Sequence, residues 1–406
     1  MFGFKRLMGL AVVTALLAAC GSLPRPEGPL RIAPHQIMPV ADPRIRSTDT
    51  AKIRAMADTF TERMARGDHH DVLSLSGGGA GGAYGAGVLV GWTQHGDRPE
   101  FDVVTGVSTG ALIAPFAFLG PDWDDELTAA YTDGQASNLL NPRVLSILAA
   151  PSLFSSDGLR QLVDRNVTPT LLAAVAAEYA KGRQLLVVTT NLDTEETVIW
   201  DMGLLASQGP QAVDLFKQVL VASASIPGIF TPQLIAGLNS DGEVVLEMHA
   251  DGGVNTPFLA VPEGALLWTA PEVRQDQAAI YVIVNGQLGA NTGVTPGRLA
   301  GILARAYDSM SKATARQALV ANSAFALRNG MGLRVTSIPD NANVSSLNFG
   351  QAEMTALFNV GRARAVSGQA WTQVSASSQA GLPETYVVPD QDLPDILRPR
   401  SRRAGN

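Results

Sequence analysis

The sequence predicts an α/β fold whose central sheet is mostly parallel. Short runs rich in apolar and β-branched residues end in glycine turns and are followed by segments with helical spacing. Four such runs lie at residues 72–75, 101–105, 185–190 and 280–284. Strands that alternate with helices form parallel sheets, which bind ligands at the carboxyl ends of their strands. We therefore expect functional residues in the loops that follow these strands.

The composition indicates a large packed core. The chain has 406 residues, of which 46% are hydrophobic and only 17% are charged, which argues against a disordered protein. Its net charge of −7 offers no chain-wide basic surface, so we do not expect nucleic-acid binding. The single cysteine excludes an internal disulfide and a Cys-paired zinc or iron–sulfur site. No H-E-x-x-H motif is present, and we expect neither a metal nor a cofactor.

The first twenty residues have the pattern of an export signal. Two basic residues precede an apolar run over residues 7–19, which is too short to cross a bilayer comfortably. The run ends in Leu-Ala-Ala-Cys at 17–20, which resembles the lipobox of bacterial lipoproteins. The resemblance implies that residues 1–19 are removed and that Cys20 carries a lipid anchor. The alternative is an ordinary signal peptide cut near an Ala-x-Ala site, which leaves a free thiol.

The residue after the cysteine bears on the destination of the protein. Gly21 stands there in place of an Asp, and in the enterobacterial sorting pattern this leads to the outer membrane. Acyl chains hold a folded domain at a membrane surface without a transmembrane helix. We therefore expect a lipid-anchored protein of the bacterial cell envelope, at the outer membrane.

The rest of the chain divides by composition and periodicity. Prolines recur between residues 24 and 43, which indicates an extended tether, and apolar residues recur at helical spacing over 47–65. Later segments predict a helix at 298–328, a strand at 331–338 and a helix at 351–366. The expected segments are 1–19 (signal peptide), 20–46 (lipidated Cys and tether), 47–70 (N-terminal helical segment), 71–372 (main α/β domain) and 373–406 (polar, basic tail).

A glycine-rich loop follows the first predicted strand of the main domain. Gly77, Gly78 and Gly79 allow successive backbone amides to turn toward one point, where they stabilise a phosphate or a developing oxyanion. The loop also satisfies G-x-G-x-x-G, but a dinucleotide site needs an acid at the carboxyl end of the next strand. Asp102 has the right spacing and lies at the start of its strand, which disfavours that interpretation. No P-loop motif is present.

Ser108 lies at the centre of Gly-Val-Ser-Thr-Gly, between a β-rich run and an apolar helical run. G-x-S-x-G in this context is typical of the nucleophile elbow, a tight turn that presents the serine oxygen. The flanking strand and helix raise this motif above a chance match. The alternative is a serine that only caps the following helix.

A nucleophilic serine needs a base, and the sequence offers two. His249 is the only histidine after Ser108, so it is the one available to a triad in the order Ser, acid, His. Asp251, followed by two glycines at a predicted strand end, is the candidate for a Ser–Asp dyad. An Asp-Gly hairpin turn explains Asp251 equally well on local grounds.

These stretches, in this order, resemble the patatin-like phospholipase family. The matching motifs are the glycine loop, G-x-S-x-G, the segment at 222–232 that follows A-S-x-[AS]-x-P-x-x-F-x-P, and a later D-G-G. The resemblance implies a three-layer α/β/α fold and a Ser–Asp dyad that hydrolyses lipid acyl esters through an acyl-enzyme. Carried over by position, Ser108 is the nucleophile, Asp251 the base, and the amides of Gly77, Gly78 and Gly79 form the oxyanion hole.

The glycine loop departs from the family in its charges. The family often has Asp before the three glycines and Arg or Lys two places after them, whereas this chain has Ser76 and Gly81. A loop without its cation is expected to favour anionic lipids less. Two alternatives to the dyad enzyme stay open: a Ser–His esterase that uses His249, and a non-catalytic envelope lipoprotein that binds lipid or a partner in the same cleft.

Overall fold

The computed structural model describes residues 41–65, 70–140, 152–238, 243–269, 278–290, 294–297, 299–374 and 389–398. The predicted signal peptide, Cys20 and most of the predicted tether lie outside the described residues, and the same holds for most of the tail. No helix within the described ranges is long and apolar enough to cross a membrane.

The described strands form one sheet of ten. They are β1 (Arg44–Arg46), β2 (His70–Leu75), β3 (Val103–Val107), β4 (Gln184–Asn191), β5 (Glu196–Asp201), β6 (Gln233–Leu238), β7 (Val244–Asp251), β8 (Ala278–Val284), β9 (Gly332–Ser337) and β10 (Thr372–Val374). The order is β1-β5-β4-β3-β2-β8-β9-β10, and β7 pairs with both β4 and β6. The central strands β4, β3, β2, β8 and β9 are mutually parallel, and the strands around them pair antiparallel.

Helices cover both faces of the sheet. They are α1 (Thr50–Ala65), α2 (Gly82–His95), α3 (Thr109–Leu119), α4 (Asp124–Thr132), α5 (Asp157–Asn166), α6 (Pro169–Ala180), α7 (Met202–Ala206), α8 (Val213–Ser223), α9 (Leu299–Arg328) and α10 (Gln351–Val366). Alternate residues of β8 enter different clusters: Tyr281 packs with α2 and α10, and Ile280 packs with α9. A strand buried on both faces needs a continuous apolar run, and β8 is such a strand. The expected α/β fold with a mostly parallel central sheet between helices is confirmed.

The boundaries of the domain differ from the prediction at both ends. Residues 44–46, predicted to belong to the tether, form β1 and pair with β5. Arg44 is buried there because it forms ion pairs with Asp42 and Glu247. Leu393 and Leu397, predicted to lie in the solvated tail, are buried against the main core. The predicted segment 71–372 therefore underestimates what packs into one body.

Candidate active site

Ser108 occupies the turn between β3 and α3. Its backbone has φ 56° and ψ −124°, a region that residues with a side chain seldom adopt. The turn is tight: a Cβ on Gly110 would lie 2.3 Å from the Leu75 carbonyl oxygen. The G-x-S-x-G spacing is thereby explained by close backbone approach, and the structure has the strand, turn and helix of a nucleophile elbow.

The Ser108 hydroxyl donates a 2.5 Å hydrogen bond to Oδ2 of Asp251, a residue 143 positions away. Asp251 is the last residue of β7, and it pairs with Thr189 of β4. Its other carboxylate oxygen, Oδ1, accepts a 2.7 Å hydrogen bond from the Gly253 amide. The structure thus brings the two sequence-predicted side chains together and fixes the carboxylate from its far side.

Burial decides the proton affinity of Asp251. The residue is 1% exposed, and desolvation raises the pKa of its carboxyl from the ordinary 3.8 to about 7. The hydrogen bonds from Ser108 and Gly253 oppose this shift but do not cancel it. A carboxylate with a pKa near neutrality accepts a proton far more readily than an exposed aspartate does.

The end of α8 and the residues just after it support both partners. Ser223 accepts a 3.0 Å hydrogen bond from the Ser108 amide through its hydroxyl oxygen. The carbonyl of Ser225 accepts a 2.9 Å bond from the Asp251 amide. This short segment, recognised in the sequence only through its resemblance to a family motif, therefore holds the backbone of both residues.

The glycine loop lies against the serine, and its three amides are not equivalent. A Cβ on Gly77 would lie 3.2 Å from the Ser108 Cβ, so the loop directly flanks the nucleophile. The Gly77 amide, however, donates to the Pro257 carbonyl at 3.1 Å and is not a free donor, which corrects its predicted role. The Gly78 and Gly79 amides have no hydrogen-bond acceptor among the described residues. These two remain available to an oxyanion.

His249 is buried and turned to other partners. Its Nδ1 is hydrogen bonded to the Thr189 hydroxyl at 2.9 Å, and its Nε2 lies 3.3 Å from Oε2 of Glu247. Burial lowers the pKa of the imidazole. Since both ring nitrogens have partners other than Ser108, the geometry does not support His249 as the base.

Asp102 does not lie where a dinucleotide site would need it. It immediately precedes β3, at the amino end of the strand, and its carboxylate accepts a 3.2 Å hydrogen bond from the Asp71 amide. The glycine loop lies at the opposite end of the parallel strands. Among the described residues there is no cluster of three His, Cys, Asp or Glu residues that could hold a metal ion.

Sequence reasoning missed residues that shape the site. Asn285 donates through Nδ2 to the Ser76 carbonyl at 2.7 Å and so holds the start of the glycine loop. It follows β8 directly, and a polar residue at the carboxyl end of a predicted strand was a usable signal. Tyr307 of α9 lies with its hydroxyl 3.9 Å from the position that a Cβ on Gly253 would take. No sequence pattern pointed to Tyr307, because its approach to Gly253 depends on how α9 packs.

The family model of patatin-like phospholipases matches residues 73–262. The matched range contains the glycine loop, the elbow at Ser108, the 222–232 segment and Asp251. This part of the chain is a patatin-like phospholipase domain. The family resemblance stated from the sequence is confirmed, and it supports lipid acyl hydrolysis as the general activity.

The fold of the chain is also similar to that of individual solved proteins. Among solved structures, the crystal structure of VipD from Legionella pneumophila matches with 14% sequence identity and a TM-score of 0.36. The match covers 76% of this chain and 68% of that chain. The comparison with curated proteins gave no match. In this chain the sheet continues beyond the matched range, since β8, β9 and β10 follow residue 262.

Proposed function

We propose that the chain hydrolyses carboxylic ester bonds of lipids through a dyad of Ser108 and Asp251. The observation that carries the proposal is the 2.5 Å hydrogen bond between the Ser108 hydroxyl and the buried Asp251 carboxylate, on a strained turn beside a glycine loop. A buried carboxylate with a pKa of about 7 suits a general base at neutral pH.

The proposed reaction has two steps. Asp251 accepts the hydroxyl proton as the Ser108 oxygen attacks the ester carbonyl carbon, and the free amides of Gly78 and Gly79 stabilise the resulting oxyanion. Asp251 then gives its proton to the departing alcohol, which leaves an acyl-enzyme. Water attacks the acyl carbonyl while Asp251 takes its proton, and the proton returns to Ser108 as the fatty acid leaves.

Two substitutions and one probe test the proposal. Ser108→Ala and Asp251→Asn should each lower kcat on a p-nitrophenyl acyl ester by about a thousandfold or more, because a nucleophile and its base act as a unit. A fluorophosphonate probe should label the wild type and not Ser108→Ala, with circular dichroism confirming that each variant is folded.

The two alternatives predict different results. In a Ser–His esterase, His249→Gln would lose activity and Asp251→Asn would keep it, whereas the dyad predicts the reverse. In a lipid-binding protein without catalysis, the wild type would bind lipid but neither label nor hydrolyse. Hydrolysis that survives in pure Ser108→Ala protein would refute the dyad.

We further propose that Cys20 carries a lipid that holds the domain at the bacterial outer membrane. The support is the Leu-Ala-Ala-Cys sequence at 17–20 after a short basic and apolar segment. Metabolic labelling of the full chain with an alkynyl palmitate analogue should mark the wild type and not Cys20→Ser. Equal labelling of both proteins, or none in either, would contradict the anchor.

A further inference from the structure

Tyr307 of α9 brings a phenol hydroxyl close to the proposed base. The hydroxyl oxygen lies 3.9 Å from the position that a Cβ on Gly253 would take, and this position is 2.9 Å from Oδ1 of Asp251. Gly253 and Tyr307 both line a cleft that runs along the glycine loop, and the ring of Tyr307 also packs on the main core. The phenol is thus held beside the Asp251 carboxylate, on the side of the oxygen that Ser108 does not bind.

The Tyr307 hydroxyl has no hydrogen-bond partner among the described residues. Burial raises the pKa of the phenol well above its ordinary value of 10.0, and the charges of Asp251 and Asp308 raise it further. The group therefore stays protonated at neutral pH. A neutral phenol has one O–H to donate and lone pairs to accept with, and Tyr307 has used neither. It cannot act as a base, but it can bind a small neutral molecule.

Other hydroxyls around the dyad already have partners. The Ser223 hydroxyl bonds to backbone groups on both sides, at 3.0 Å and 2.6 Å. The Ser76 hydroxyl donates to the Gly77 carbonyl at 2.6 Å and accepts from the Asn285 amide at 2.8 Å. Each of these two hydroxyls has used its proton and an acceptor position, whereas the hydroxyl of Tyr307 has used neither.

The second step of the proposed reaction needs an oriented water. The amides of Gly78 and Gly79 stabilise the oxyanion and Ser108 carries the acyl group, so these groups do not fix the water. The water has to donate one O–H to Asp251 and point a lone pair at the acyl carbonyl carbon. An acceptor for its second O–H, placed beside Asp251, fixes that orientation, which lowers the barrier. The phenol oxygen of Tyr307 is such an acceptor.

We propose that Tyr307 binds the hydrolytic water, which donates one O–H to Asp251 and the other to the phenol oxygen. The inference rests on the proposed dyad and adds a residue that acts only in deacylation. The water oxygen forms a bond to the acyl carbon, and the bond from this carbon to the Ser108 oxygen breaks. The proton of the water passes to Asp251 and then to the Ser108 oxygen, and Tyr307 keeps its own proton throughout.

The test uses a second nucleophile that can make only one of the two hydrogen bonds. Methanol has a single O–H, which it donates to Asp251 when it attacks the acyl-enzyme, so it gains nothing from the phenol oxygen. The full chain is given a p-nitrophenyl acyl ester in buffer that contains methanol, and the fatty acid and the methyl ester are quantified by gas chromatography. Their ratio reports the competition of the two nucleophiles for one acyl-enzyme, whichever step limits kcat.

Tyr307→Phe removes the hydroxyl and keeps the ring that packs on the core. It should raise the ratio of methyl ester to fatty acid by about tenfold, the effect of one hydrogen bond that only water makes. The rate of fluorophosphonate labelling, which reports attack by Ser108, should stay close to that of the wild type, because the phenol takes no part in the first step.

Tyr179 of α6 provides the matched control. Its hydroxyl also has no hydrogen-bond partner among the residues that the structure describes, and burial and the charge of Asp201 raise its pKa. Tyr179 is not among the described residues that line the cleft. Tyr179→Phe should therefore leave the product ratio unchanged. An equal rise of the ratio in Tyr179→Phe and Tyr307→Phe would contradict a specific water site.

Three further results would overturn the water site. The first is an unchanged product ratio in Tyr307→Phe. The second is a loss of fluorophosphonate labelling that parallels the loss of hydrolysis, which would make Tyr307 a support of the fold. The third is a ratio that rises much more with ethanol than with methanol, because the variant would then have gained space rather than lost a hydrogen bond.

The remaining outcomes separate this inference from the esterase proposal. If Ser108→Ala is inactive and Tyr307→Phe has the wild-type product ratio, the dyad stands and the water site is wrong. If Ser108→Ala retains hydrolysis, the dyad itself is wrong. Fatty acid without methyl ester from the wild type at every methanol concentration would contradict the acyl-enzyme, and both proposals would fail with it.

Discussion

The hydroxyl of Ser223 accepts a hydrogen bond from the Ser108 amide at 3.0 Å and donates one to the Val188 carbonyl at 2.6 Å. It thus connects the strained turn of the nucleophile to the central strand β4. Strain of this kind costs about 1–3 kcal/mol and persists only where the surroundings fix the backbone. Ser223 is therefore a positioning residue for Ser108, although it never contacts the substrate in the proposed reaction.

Removal of the Ser223 hydroxyl should loosen the nucleophile. In Ser223→Ala the buried Ser108 amide and Val188 carbonyl lose a partner, which should lower the free energy of unfolding by about 1–3 kcal/mol. Because the turn also relaxes, kcat should fall while KM changes little. Steady-state kinetics and the rate of fluorophosphonate labelling measure the two effects.

Ser225 offers the matched control for Ser223. It is equally buried, and its hydroxyl donates to the Val221 carbonyl in the last turns of α8 at 2.7 Å. Ser225→Ala keeps the backbone carbonyl that binds the Asp251 amide, so its kcat should fall less than that of Ser223→Ala. Equal losses of kcat in the two variants would show that Ser223 does not specifically position Ser108.

The pH dependence of activity should report the buried carboxylate. Since Asp251 has to be ionised to accept the Ser108 proton, kcat/KM on an uncharged ester should rise with pH around its pKa of about 7. Burial lowers the pKa of His249, so the titration of that residue is not expected to produce the same rise of kcat/KM with pH. His249→Gln should keep the profile, and a midpoint near the ordinary aspartate value would contradict the dyad.

Stability should depend on Asp251 over the same pH range. Folding raises the pKa of this carboxyl from 3.8 to about 7, so the native state binds the proton more tightly than the unfolded chain does. The associated stability is complete below the unfolded pKa and is lost as the pH rises through the folded pKa. The shift corresponds to about 4 kcal/mol.

Asp251→Asn removes this loss, so the variant should gain stability relative to wild type between about pH 4 and pH 8, as measured by urea unfolding. Ser108→Ala is a control for which the opposite change in stability is expected. It removes a hydrogen bond that lowers the pKa of Asp251, so the folded-state pKa should rise further. The same increase in pH should therefore lower the stability of Ser108→Ala more than that of the wild type. A wild type and an Asp251→Asn variant that respond alike to pH would argue against a buried, ionising carboxylate.

The sequence predicts a strand or a helix best where all residues of that element share the same kind of surroundings. The buried run at 280–284 lies within β8, and the helical spacing at 351–366 corresponds to α10. Strands β5 and β6 were not predicted. The first of these pairs with β1, so part of what makes it a strand lies at positions 44–46, which the proline-rich composition had placed in a tether.

The individual residues of the site could be predicted from the sequence, but the contacts between them could not. Local pattern left Asp251 undecided between a turn and a base, because the deciding contact joins residues 143 positions apart. The three loop glycines are alike in sequence. Only the tertiary approach of the Pro257 carbonyl distinguishes Gly77 from the other two.

A last prediction concerns substitutions in the glycine loop, where the neighbouring backbone leaves no space for a side chain. Gly78 has φ 157°, and a Cβ there would lie 1.9 Å from the Asn285 carbonyl oxygen. Gly78→Ala should therefore displace the loop and cost more than about 1 kcal/mol of unfolding free energy. It should also lower kcat strongly, because the displaced amide no longer stabilises the oxyanion, and loss of one such donor typically raises the barrier by about 3–4 kcal/mol.

Gly96 separates backbone conformation from crowding. It also has a positive φ, 96°, but a Cβ there would meet nothing within 4 Å. Gly96→Ala should cost about 1 kcal/mol of stability through its left-handed backbone alone, with kcat close to that of wild type. Urea unfolding and ester kinetics on both variants give the comparison. If Gly78→Ala kept wild-type kcat, the Gly78 amide would not be an oxyanion donor, and the stabilisation of the intermediate would have to come from another part of the site.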